Sequence, residues 1–152
     1  MGFSDGFTEG ELNIKKNKNS IVYTHKNARK SSFKVIGIGS TGYKLIRALY
    51  NLNNKEIELI LIDTHNNAWW QKYDRAICIG LQDCKGLPVF HFKKEIINKA
   101  INDSEQDILK VIDNSKKIFI FGKNDYLSNN FLEFVLVKLG ENKNIEIKHM
   151  FF

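Results

Sequence analysis

Phe33-Lys34-Val35-Ile36-Gly37-Ile38-Gly39-Ser40-Thr41-Gly42 is the stretch on which the fold turns. Its first six residues read as a compact apolar strand, and the glycines follow at once. Gly37, Gly39 and Gly42 have the G-x-G-x-x-G spacing. Between a strand and a helix, that spacing allows a tight turn, close backbone approach to a phosphate and close helix packing. A helix fits from Tyr43 to about Leu52, with Ile46, Leu49 and Tyr50 on one face.

Downstream the pattern alternates. Ile57 to Asp63 is almost continuously apolar, as expected of a strand covered on both faces. Arg75 to Gly80 is a short third strand, and Pro88, the only proline, punctuates the loop after it. Helical stretches follow at Lys93–Ile101 and Ser104–Asn114, the second opening with a capping-box-like Ser104 and Asp107. Lys117 to Gly122 is a fourth strand, Phe131–Leu139 an apolar helix with Gly140 at its C-cap, and Ile145–Phe151 a fifth strand. This rhythm predicts an α/β, Rossmann-like three-layer domain over 33–152, with an open, mainly parallel sheet of about five strands joined by right-handed crossovers.

Residues 1–32 lack sustained periodicity apart from a β-like Ile21-Val22-Tyr23-Thr24, and are expected to form a basic, flexible arm. They carry Lys15, Lys16, Lys18, Lys26, Arg29 and Lys30 against Asp5, Glu9 and Glu11, a net +3, half of the chain's +6. Such an arm would suit acidic lipid, nucleic acid or an acidic protein partner, or simply be solvated. A 152-residue chain is one domain's worth, and no apolar run approaches the ~20 residues a membrane helix needs, so no transmembrane segment is expected. The N-terminus has no signal architecture, and Cys78 and Cys84 are the only cysteines. Both features suit a reduced, cytoplasmic location. Richness in Lys, Asn and Ile is that of an AT-rich bacterial genome.

In an open parallel sheet, ligands sit beyond the C-terminal strand ends where strand order reverses. Here that places a ligand over Gly37, Gly39 and Gly42, with Ser40 and Thr41 hydroxyls and the Lys44 charge in support. Asp63 ends the second strand, where a dinucleotide enzyme hydrogen-bonds a ribose 2′-OH; equally, it is a strand-end cap. The glycines also admit a plain packing role. Trp69-Trp70 follows the Asp63 loop and either stacks on a base or anchors the loop. His25, His65, His91 and His149 are scattered without metal-ligand spacing, and no catalytic metal is expected. Cys78 reads as core. Cys84, in a loop, has no cationic pattern to lower its pKa.

The opening strand and glycine loop resemble the start of the bacterial tubulin homologue FtsZ. Ile62-Asp63-Thr64-His65-Asn66-Asn67-Ala68 is similar to that family's Ile-Asn-Thr-Asp-x-Gln-Ala. Ala76-Ile77-Cys78-Ile79-Gly80 resembles its Lys-Ile-Gln-Ile-Gly, and Cys84-Lys85-Gly86-Leu87 its Thr-Arg-Gly-Leu. The likeness is collinear across about 33–150. It implies a guanine nucleotide over Gly39–Gly42, with Asp63 and Asn66 near the sugar and Gly122 near the phosphates.

The departures limit what the resemblance implies. The family's Gly-Gly-Gly-Thr-Gly-Thr-Gly after strand four is here Gly122-Lys123-Asn124-Asp125-Tyr126-Leu127-Ser128-Asn129-Asn130, and its γ-phosphate-loop glycines are Pro88, Phe90 and His91. Lys44 stands where the family has a nucleotide-contacting Asn. The given sequence does not include the family's central helix or the loop beyond it, which supplies catalytic acids to a neighbouring subunit. The expectation is therefore a divergent FtsZ-like nucleotide-binding protein that acts by binding and is not a competent GTPase, with cell division or a bacterial cytoskeleton as its setting. Two alternatives stand beside it. One is an NAD-type sensor or enzyme. The other is an interaction module with no cofactor, whose partner would be FtsZ or another division or cytoskeletal protein.

Overall fold

The structure, a computed structural model, describes residues 12–66 and 73–152. Seven strands run in the order β1-β2-β5-β4-β3-β6-β7. They are β1 (Leu12–Lys16), β2 (Ser20–His25), β3 (Phe33–Ile38), β4 (Ile57–Asp63), β5 (Arg75–Ile79), β6 (Lys117–Gly122) and β7 (Glu146–Phe151). The five from β3 onward are mutually parallel, while β1 and β2 form an antiparallel hairpin along β5. The α/β, Rossmann-like architecture with an open, mainly parallel sheet is as expected, with two more strands.

Those two strands correct the reading of residues 1–32 as an arm. From Leu12 onward the segment is part of the sheet. Ile21 and Tyr23 alternate into the core, while Ser20 Oγ donates to Asp107 and Asn17 Nδ2 donates to the same carboxylate at 2.9 Å. The domain therefore begins before Phe33. The polar, lysine-rich β1 conceals this in sequence, because a solvated edge strand needs little apolar content.

Strand alternation divides the core. Val35, Leu59, Leu61, Ala76 and Cys78 face α1 (Gly39–Leu52), whose Ile46 is fully buried against them. Ile36, Ile38, Ile60, Ile62, Ile118 and Ile120 face the opposite layer. That layer comprises α3 (Lys94–Asp103), α4 (Glu105–Val111) and α5 (Tyr126–Leu139). Period-2 burial on both faces explains why these strands read as unbroken apolar runs. A short α2 (Leu81–Cys84) and a 3₁₀ turn (Val89–His91) link β5 to α3.

Three element boundaries differ from expectation by three residues or more. α1 starts at Gly39 instead of Tyr43, so the glycine stretch is itself the first helical turn. α5 starts at Tyr126 instead of Phe131, because Asp125 caps it by accepting from Ser128 N at 2.9 Å. α4 ends at Val111, and Ser104 makes no side-chain capping bond; its hydroxyl is buried without a partner among the described residues. Among those residues, no helix is long and apolar enough to cross a membrane.

Gly37 and Gly42 carry the contact between α1 and the sheet. A Cβ on Gly42 would lie 2.4 Å from the Gly37 carbonyl carbon and 2.9 Å from Phe121 O, and one on Gly37 would lie 2.5 Å from Gly42 O. Gly39 differs: its φ is +65°, and a Cβ there would meet nothing within 4 Å. Gly42→Ala should therefore cost about 3 kcal/mol, the upper range for overpacking. Gly39→Ala should cost only the left-handed backbone penalty of about 1–2 kcal/mol. Urea unfolding of both variants checks this, and equal losses would contradict the packing role assigned to Gly42.

Candidate functional site

The chain runs β3, β4, β5 toward one side of the sheet and then crosses β3 to lay down β6 and β7 on the other. The switch point lies between β3 and β6. There a cavity of about 380 Å³ opens at the C-terminal strand ends. Three segments build it: Ile38 to Thr41 between β3 and α1, Asp63 and His65 after β4, and Lys123, Asp125 and Tyr126 between β6 and α5. Pro88, Val89, Phe90 and Phe92 form an apolar wall from the β5–α3 connection. Phe90 is 80% exposed and Tyr126 54%, so the mouth carries two exposed aromatic rings, of which Phe90 already packs on the His91 ring at 4.3 Å.

The two helix N-termini at this cavity are not equivalent. Among the described residues α1 has no side-chain cap, and its first turn holds no acidic residue, so its leading N–H groups can donate to an anion. α5 is closed by Asp125, whose carboxylate occupies the place where a phosphate would bind that helix.

Asp63 sits on the cavity wall at 7% exposure and accepts from Thr64 N at 2.7 Å. Its carboxyl is pushed up to about 6. Burial is the main cause; N–H bonds from His65 and Thr64 and the His65 charge oppose it, and the Asp125 carboxylate adds to it. Two carboxylates, with Lys123 and His65 beside them, thus give a cavity that favours hydrogen-bond donors over multiple phosphates.

The sequence-predicted residues fall into three groups. Gly39, Ser40, Thr41 and Asp63 line the cavity. Gly37, Gly42 and Gly122 lie beneath it as packing positions; a Cβ on Gly122 would be 2.5 Å from Ser128 Oγ and 3.1 Å from Ile38 Cβ. Lys44 is exposed on α1 and does not line the cavity, and neither does Asn66, which accepts from Tyr23 OH at 3.1 Å while its N–H donates to Gly86 O. Trp69 and Trp70 lie outside the described residues. Cys84 is not a loop thiol: it ends α2 fully buried, and burial pushes it up to about 11. Cys78 is core, as expected, and is likewise pushed up by burial, to about 12.

Asp125, His65, Phe90, Phe92 and Tyr126 were not read as site residues from sequence. Asp125 carried a usable signal, an Asp directly before a helix, but only if the polar Tyr126–Asn130 run is recognised as helical.

The raised Asp63 value has a stability consequence with a fixed sign. The folded state holds the proton more tightly than the unfolded chain, so the contribution of Asp63 to stability is greatest below about pH 4 and is lost as pH rises through about 6. The difference in proton affinity between the two states corresponds to roughly 2–3 kcal/mol. Asp63→Asn keeps the acceptor oxygen and should remove that loss. Urea unfolding of wild type and variant at pH 4 and pH 7 isolates the Asp63 contribution as their difference, and parallel profiles would refute it.

Comparison with known proteins finds no matching family model and no significantly similar curated protein.

Proposed function

We propose that this domain is a divergent FtsZ-like nucleotide-binding protein that works by binding its ligand and does not hydrolyse GTP. The observation that carries the reading is the cavity at the switch point, into which the uncapped N-terminus of α1 opens. A single phosphate group would sit on the N–H groups of Ser40 to Gly42, with the Ser40 and Thr41 hydroxyls beside it. Asp63 would accept from the sugar hydroxyls, and the base would lie against Phe90 and Tyr126. The collinear sequence resemblance across 33–150 supports the same placement.

The absence of hydrolysis in this reading follows from Asp125. Where the resembling family wraps glycine backbone around the phosphates, this chain places a carboxylate that already caps α5. A second negative group there would meet repulsion of several kcal/mol at partly buried distances. Weak binding of nucleoside, monophosphate or diphosphate is favoured over triphosphate. The position of Asp63, at the end of the strand after the glycine turn, also keeps an NAD-type ligand in view.

A thermal-shift panel with guanosine, GMP, GDP, GTP, ATP and NAD tests this. A ligand at ~100 times its dissociation constant adds about 2.7 kcal/mol. The guanine series should raise the melting temperature, with GTP no better than GDP, and Ser40→Phe should abolish the shift while leaving the unliganded melting temperature unchanged. A shift with NAD alone would favour the dinucleotide reading. No shift with any of them would refute nucleotide binding.

A further inference from the structure

The opposite end of the sheet, where the parallel strands begin, has a different chemistry. Glu58, 2% exposed, accepts from Lys34 Nζ at 2.8 Å, Arg75 Nη1 at 2.6 Å and Ser31 N at 2.9 Å. Asp74, 3% exposed, accepts from Leu59 N at 2.8 Å and Arg29 N at 3.0 Å, with Arg29 Nε at 3.5 Å. These two buried carboxylates are fully committed to three cations and to backbone, and the pair of clusters still holds one positive charge in excess.

Three grooves meet over this charge. One passes Lys26, Lys30 and Arg75; a second shares Lys30 and Arg75 and continues past Lys34 to Lys110. A third shares His25 with the first and runs past Arg29 to Lys55. Lys26, Lys30, Lys55 and Lys110 are exposed. Among the described residues lining the grooves, Asp113 is the one exposed acid; Glu56 is exposed nearby.

We propose that this basic, grooved pole binds the sugar-phosphate backbone of single-stranded nucleic acid, without reading its bases. The spacing favours a strand over a bilayer: a thread-like polyanion can follow connected concave grooves, whereas a plane of headgroups would meet only their rims. Lysines on the rims over committed arginines below supply charge without fixed geometry, the pattern of sequence-independent phosphate contact. This surface lies at the other end of the strands from the nucleotide cavity and does not depend on how that cavity is read.

The test is fluorescence anisotropy of a labelled ~20-nucleotide oligothymidylate with the full chain across a salt series. Binding should weaken as salt rises, and Lys26→Ala/Lys30→Ala/Lys110→Ala should weaken it at least tenfold. Because each single-strand phosphate contact contributes about 0.7 to the log–log salt slope, the triple variant should lower the slope by about 2. Removing equal charge at the far end of the hairpin, with Lys15→Ala/Lys16→Ala/Lys18→Ala, should change affinity far less. All six positions are exposed, and unchanged circular dichroism confirms folding. Equal losses from the two triple variants, or no salt-dependent binding, would overturn the proposal. So would binding to phosphatidylserine vesicles without oligonucleotide binding. Binding that appears only when Asp5, Glu9 and Glu11 are neutralised would also overturn it, assigning the grooves to the chain's own acidic N-terminal segment.

Discussion

The architecture depends on one place where two backbones touch. Gly37 in β3 and Gly42 in α1 approach until neither tolerates a Cβ, and Gly42 also meets the carbonyl of Phe121 in β6. That contact lets α1 lie directly on the central strands, seats Ile46 in the core and fixes where the helix begins. Gly39 then makes the turn at φ +65°, leaving the first N–H groups of α1 facing the cavity. Two of the three motif glycines are thus required by packing alone. Those two would be needed in this fold whatever the cavity holds; the features that point to a ligand are the uncapped start of α1 and the cavity wall.

The ends of the sheet are specialised by opposite charge. At the start of the strands, Glu58 and Asp74 are buried but saturated with cations and N–H donors, a state in which removing one partner costs far more than the pair contributes. These networks pin β3, β4 and β5 to the segment 29–31, which joins the N-terminal hairpin to the first parallel strand. At the other end, Asp63 is buried and, among the described residues, takes hydrogen bonds only from neighbouring backbone and has no cation in direct contact. The same type of side chain serves as structural cement at one pole and as an unneutralised group facing a cavity at the other.

How much of this is legible in the sequence follows from which interactions are local. The parallel strands announce themselves because both of their faces are buried, so Ile57 to Asp63 can hardly be anything else. The hairpin at 12–25 is obscured because half of it is a solvated edge, and its anchors, Asp103 and Asp107, lie more than eighty residues away. The start of α5 is obscured because Ser128 and Asn130, polar but buried, break the apolar pattern. In the cavity, Gly39 to Thr41 and Asp63 are readable from spacing along contiguous chain. Phe90, Asp125 and Tyr126 join them only through tertiary folding, and nothing in a single sequence records that meeting.

The cavity's charge decides what kind of guest it can hold. With Asp63 ionised, Asp63 and Asp125 outweigh Lys123, and an entering phosphate meets a negative wall opposite the favourable N-terminus of α1. With Asp63 protonated, the carboxyl becomes a donor, the wall approaches neutrality and the helix end dominates. Because burial already pushes Asp63 up to about 6, the second state lies within reach near neutral pH at modest free-energy cost. An anionic guest would draw a proton onto Asp63, and a guest offering hydroxyl or amino donors would drive it off. A nucleotide of the kind proposed brings both groups at once, so its phosphate and its sugar hydroxyls would pull the Asp63 proton in opposite directions through one side chain.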